Sequence, residues 1–168
     1  DVYTFKFSYT NDKEATVSFA HTFSNDRVTA KINLFKVDKE TGKAVPQGDA
    51  TLKGAVYGLY AREDIVHPDG ATGTIYKAGE QVASLTTDDK GQSSVKGVYL
   101  GKYYVKEITP PTGYLADTEE HDLVCSYEGD MTAEVKRECT SSEQVIKQPF
   151  QIIKAANNGK TDADLLSG

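Results

Sequence analysis

The stretch Ile32-Asn33-Leu34-Phe35-Lys36-Val37-Asp38 decides how this chain is read. It has the character of a strand, with a lysine in its middle. Side chains alternate faces along a strand, so Lys36 shares a face with Ile32 and Leu34. An ammonium on an apolar face is costly unless a nearby group answers it. Taken alone, the strand allows two arrangements. Either Lys36 points inward to a partner, or Phe35 and Val37 mark the core side and the lysine is solvated.

The flanking sequence favours β structure. Tyr occurs 10 times, Trp not at all and Met once, amid frequent Val, Thr and Gly. At 168 residues the chain has room for one domain with pieces of neighbours. A net charge of −6 without any basic run argues against nucleic acid as a partner. No apolar run approaches the ~18 residues needed to span a membrane, so no membrane contact is expected of this segment. Neither end reads as a signal peptide or sorting signal, and both look like cuts through a longer protein.

Working outward from the lysine strand, residues 2–10 alternate apolar and polar, as do residues 16–25, around the turn Asn11-Asp12-Lys13-Glu14. This predicts a hairpin with one apolar side, which needs a sheet to join. Further strands are expected at 54–61, 81–86, 93–98 and 101–108, the last ended by Pro110-Pro111. Residues 62–80 read as a Gly-rich loop with a short apolar piece at Ile75-Tyr76. A second hairpin is expected from 122–127 and 133–140. Short strands at this spacing indicate an antiparallel sandwich or barrel.

Residues 1–37 overlay residues 119–155. Ser8-Tyr9 falls on Ser126-Tyr127, Asp12 on Asp130, Val17 on Val135, and Lys36 on Lys154. Long-period self-similarity points to an array of like modules. The expected division is a terminal hairpin of a preceding module at 1–27, a complete module at 28–148, and the opening strand of a following module at 149–168.

The blocks Lys36-Val37-Asp38, Gly54-Ala55-Val56-Tyr57-Gly58-Leu59-Tyr60, Gly101-Lys102-Tyr103-Tyr104-Val105-Lys106-Glu107 and Pro111-Thr112-Gly113-Tyr114 occur in this order. Together they resemble the SpaA, or Cna protein B-type, module of Gram-positive cell-surface proteins and pilins. The resemblance implies an all-β, prealbumin-like Greek-key sandwich within a tandem array. It also implies an intramolecular isopeptide bond, made when a first-strand lysine attacks an Asn or Asp on the last strand beside a buried glutamate. On that pattern Lys36 is the nucleophile and Glu107 the assisting acid or base. Alternation agrees for Glu107, which shares a face with Tyr103 and Val105. An amine attacks only when neutral, and apolar burial favours neutral amines and protonated carboxyls alike. Such a carboxyl can shuttle protons in the reaction.

The acceptor departs from the family pattern. Asn25, eleven residues before Lys36, would be the acceptor of the preceding module. The equivalent position before Lys154 is Glu143. A glutamate is longer, and a carboxylate is a poor acyl acceptor. This favours a buried ionic cluster of Lys36, Glu107 and Glu143, with the covalent bond as the alternative. Gln144 is a substitute acceptor only if a bulge turns it inward.

Cys125 and Cys139 are too few for a disulfide framework or zinc site. As inward residues on one hairpin they can pack as free thiols or form a cross-strand disulfide. His21, His67 and His121 lack ligand spacing, so neither metal nor cofactor is expected. No catalytic constellation points to a turnover enzyme. The reading is a stalk or pilin-like module of a wall-anchored surface protein or adhesin, extracellular, with adjacent modules of the same chain as partners. The alternative is a binding module that contacts host protein or glycan through its loops, the 62–80 stretch above all.

Overall fold

A computed structural model describes residues 26–152 together with 2, 4–6, 12, 13 and 20–22. The described residues contain no helix. Nine strands form in order: β1 (Thr29–Asp38), β2 (Val56–Ala61), β3 (Ile65–Val66), β4 (Thr74–Tyr76), β5 (Gln81–Thr86), β6 (Gln92–Val98), β7 (Gly101–Thr109), β8 (Glu120–Cys125) and β9 (Glu134–Glu143).

Two sheets carry the architecture. One has the order β6-β1-β9 and the other β5-β2-β7-β8, while β3 and β4 pair separately. The short β3–β4 ribbon lies in the stretch expected to be loop. Among the described residues, every strand pairing but one is antiparallel. β1 and β9 run parallel over ten residues, from Thr29 opposite Glu134 to Asp38 opposite Glu143. These are the first and last strands among the described residues, so no tight turn constrains their direction. Parallel strands need only a long connection, which the rest of the domain provides.

The alternation expected of the lysine strand is present. Ala30, Ile32, Leu34, Lys36 and Asp38 are buried, while Phe35 and Val37 are half-buried on the other face. The same period buries Tyr57, Leu59 and Ala61 on β2, Tyr103, Val105 and Glu107 on β7, and Cys139, Ser141 and Glu143 on β9. These faces pack across the interior as one apolar cluster. A second cluster of Leu52, Tyr114 and Val145 covers one end.

The expected hairpin of 122–127 and 133–140 is corrected. Both strands form, but β8 pairs with β7 and β9 pairs with β1. The connection between them crosses from one sheet to the other instead of making a hairpin turn. Cys125 and Cys139 therefore sit on different sheets rather than side by side on one hairpin, and both are buried free thiols. Burial pushes the Cys139 thiol up to about 11 and also raises that of Cys125. The expected hairpin of residues 1–27, including Asn25, and the strand carrying Lys154 lie largely outside the described residues, as do Asn25 and Lys154 themselves.

Candidate functional site: a buried lysine between two glutamates

Register brings the charged residues together. Lys36 is opposite Ser141 on the parallel pair, with Glu143 two residues further along β9 on the same inward face. In the facing sheet, Tyr57 on β2 is directly opposite Glu107 on β7. Each sheet thus contributes a pair of polar side chains at the same end of the interior.

Lys36 is fully buried, and its Nζ forms an ion pair with Glu143 Oε2. The ammonium also lies 4.9 Å from the centre of the Tyr114 ring, within reach of a cation–π contact. Glu143 Oε1 accepts from Tyr57 Oη at 2.6 Å. Ser141 Oγ lies 3.2 Å from the same oxygen. Burial and the adjacent Glu143 carboxylate raise the Tyr57 hydroxyl far above its ordinary value, so it remains a neutral donor.

Glu107 is nearly buried, and its Oε2 accepts from the Asp117 backbone N–H at 2.7 Å. Burial pushes its carboxyl up to about 7, and Glu143 adds to the rise against the opposing N–H and Lys36. Near neutrality Glu107 therefore exchanges a proton readily, which suits an acid–base role. Apart from their mutual ion pair, Lys36 Nζ and Glu143 Oε2 have no hydrogen-bond partner, and Glu107 Oε1 is a third buried atom without one. Buried polar atoms are almost always paired, so the unpartnered Glu107 Oε1 and the unused N–H groups of Lys36 need a physical reason.

A supporting layer lies behind the cluster. Asp117 Oδ2 accepts from Ser141 Oγ at 2.8 Å and from His121 Nε2 at 2.7 Å. Burial raises the Asp117 carboxyl, but the Glu119 N–H, His121 and Ser141 outweigh it and hold it below the ordinary range. A cleft of about 570 Å³, lined by Asp117, Glu119, His121 and Glu143 among others, lies against this layer. At the strand end, the buried Asp38 accepts from the Glu40 and Thr41 N–H groups, Gln47 and Tyr114. Burial raises its carboxyl, but these donors outweigh that effect and lower it.

The structure thus gathers Lys36, Glu107 and Glu143. Gln144 is half-buried and points away, its amide bonding Glu40 at 2.5 Å, so no bulge turns it toward the lysine. Sequence reasoning missed Tyr57, Ser141 and Asp117. Ser141 shares parity with Glu143, so alternation could have found it; the inward face of the 54–61 strand was not assigned, which left Tyr57 without a signal. Asp117 is in an irregular connection with no periodic signal.

The SpaA prealbumin-like fold domain family matches residues 30–139. The chain belongs to that family. No curated protein sequence matches it. Among solved structures, the SpaA chain resembles the Bacillus anthracis TIE protein at 23% identity, covering 71% of this chain and 18% of that one, with a TM-score of 0.46. It resembles the pilus 2b backbone protein of group B streptococcus at 19% identity, covering 68% and 40%, with a TM-score of 0.44. It also resembles GBS52, the minor pilin of Streptococcus agalactiae, at 20% identity, covering 77% and 50%, with a TM-score of 0.47. The chain thus spans half or less of the length of these proteins. Likenesses at this level carry no argument about function.

Proposed function

We propose that residues 28–148 form a load-bearing, pilin-like stalk module of a bacterial surface protein, closed by an amide between Lys36 and Glu143. Adjacent modules of the same chain, at 1–27 and 149–168, are its partners. The observation that carries the bond is the fully buried contact of Lys36 Nζ with Glu143 Oε2, beside which Glu107 Oε1 is buried without a partner. Forming the amide removes Oε2 as water and turns Nζ into a single N–H beside Glu107. The buried ion pair is thereby replaced by a neutral amide.

The reaction balances without any other reagent. An ammonium and a carboxylate give an amide and one water, with two ammonium protons leaving on Oε2. Glu107, poised near neutrality, carries those protons between nitrogen and the departing oxygen. Confinement makes the attack unimolecular, which supplies the rate that an unactivated carboxyl otherwise lacks. The ion pair expected from the longer acceptor is the encounter state of this reaction.

Mechanically, the bond ties the first strand to the last. These are the strands that leave toward the neighbouring modules, so tension would pass through the amide without unfolding the sheets. The experiment is intact mass of the purified chain. A mass about 18 Da below that of the sequence is expected, the loss of one water in acyl transfer. Lys36→Ala should restore the full mass. An unshifted wild-type mass overturns the bond.

A further inference from the structure

We infer that Tyr57 and Ser141 form an oxyanion clamp on Glu143 Oε1, and that this clamp selects which carboxyl oxygen stays and which leaves. The inference rests on the bond proposed above. It concerns side chains that are distinct from the attacking lysine and the assisting glutamate.

The two oxygens of Glu143 occupy different environments. Oε2 pairs with Lys36 Nζ and has no other donor. Oε1 has two hydroxyls on it, Tyr57 Oη at 2.6 Å and Ser141 Oγ at 3.2 Å. When nitrogen attacks the carboxyl carbon, the C–N bond forms and a C–O π pair moves onto one oxygen. That charge falls on Oε1, where donors are waiting. On collapse the pair on Oε1 re-forms the C=O π bond, the C–Oε2 bond breaks, and Oε2 leaves as water. Two protons, both originally on the Lys36 ammonium, are carried to it through Glu107. The cleft beside Asp117 and His121 gives that water a place to go.

Catalysis requires contacts that are stronger in the transition state than before it. The Ser141 hydroxyl has this property. It has one proton and two acceptors, Asp117 Oδ2 at 2.8 Å and Glu143 Oε1 at 3.2 Å. Before attack the shorter bond to Asp117 holds the proton. As charge grows on Oε1, the proton turns toward it. Asp117 tolerates the loss because His121 Nε2 donates to the same oxygen at 2.7 Å. Tyr57 contributes differently. It is fixed in the core, fully buried and directly opposite Glu107, so its donor is in place from the start.

The test follows bond formation in time. The full chain is produced in pulsed cell-free synthesis, quenched in acid at intervals, and its intact mass read. Tyr57→Phe should slow the appearance of the dehydrated form by about 10²–10³-fold, the usual cost of losing one oxyanion donor. Ser141→Ala should slow it about tenfold, with Ser141→Thr, which restores a hydroxyl, recovering the rate. Circular dichroism checks that each variant is folded; if Tyr57→Phe is not, the Ser141 pair decides. Wild-type rates in a folded Tyr57→Phe or in Ser141→Ala overturn the clamp while leaving the bond standing. If the wild-type chain never loses water, the bond itself falls and the clamp with it.

Discussion

Lys36 is the residue on which the molecule turns, and its place was legible in the sequence. Parity with Ile32 and Leu34 left two orientations open, the family resemblance chose the inward one, and the lysine is fully buried. Glu107 followed from parity and family resemblance together and Glu143 from the repeat spacing; Glu143 pairs with the lysine and Glu107 lies within its electrostatic reach. What could not be read was the supporting layer. Asp117 reaches Glu107 and Ser141 from a segment without period, so only the folded chain reveals it. Glu107 carries a pH prediction. Its carboxyl rises from 4.5 to about 7 on folding, with burial as the leading cause. The native state therefore binds this proton more tightly than the unfolded chain. The stability it contributes is whole below about pH 4.5 and is lost as pH rises toward 7. Glu107→Gln stays neutral throughout, so urea denaturation across that window should show a flatter pH dependence than wild type. Equal slopes would mean that Glu107 titrates normally.

Among the elements, β1 is the organising strand, paired with β6 on one side and β9 on the other. Alternation located most strands because each buries a single face. It could not assign partners. The chain around 126–133 has the polar, Gly-containing look of a hairpin turn, yet it carries β9 to the other sheet. The reason is that β9 completes the core face beside β1, where Glu143 is needed and where Val135 and Cys139 are buried. The other flank of β1 depends on Gly91. Its carbonyl accepts from the Lys36 N–H at 2.7 Å, and its φ is +70°. A Cβ there would lie 2.7 Å from the Lys36 carbonyl oxygen, a backbone atom with little room to yield. Gly91→Ala should therefore destabilise the module by about 1–3 kcal/mol in chemical denaturation. An unchanged midpoint would show that this turn does not hold β1.

For the whole molecule, the amide proposed between Lys36 and Glu143 would join β1 to β9. It encloses nearly all of the module, a loop of roughly a hundred residues, for which loop closure predicts about 4–5 kcal/mol. Lys36→Met keeps most of the side-chain volume while removing the amine. It should lower the melting temperature by on the order of 15 °C. A shift of only a few degrees would place the stability in the sheets instead. The family and the sandwich were legible in the order of four sequence blocks. The parallel closure was not, because parity says which face a strand buries and nothing about its direction. Peptide mapping tests the bond most directly. Trypsin cannot cut after an acylated Lys36, so tandem mass spectrometry should find one branched species joining Ile32–Lys39 to Glu138–Lys147 through the side chains of Lys36 and Glu143. Separate, unmodified peptides Ile32–Lys36 and Glu138–Lys147 would contradict it.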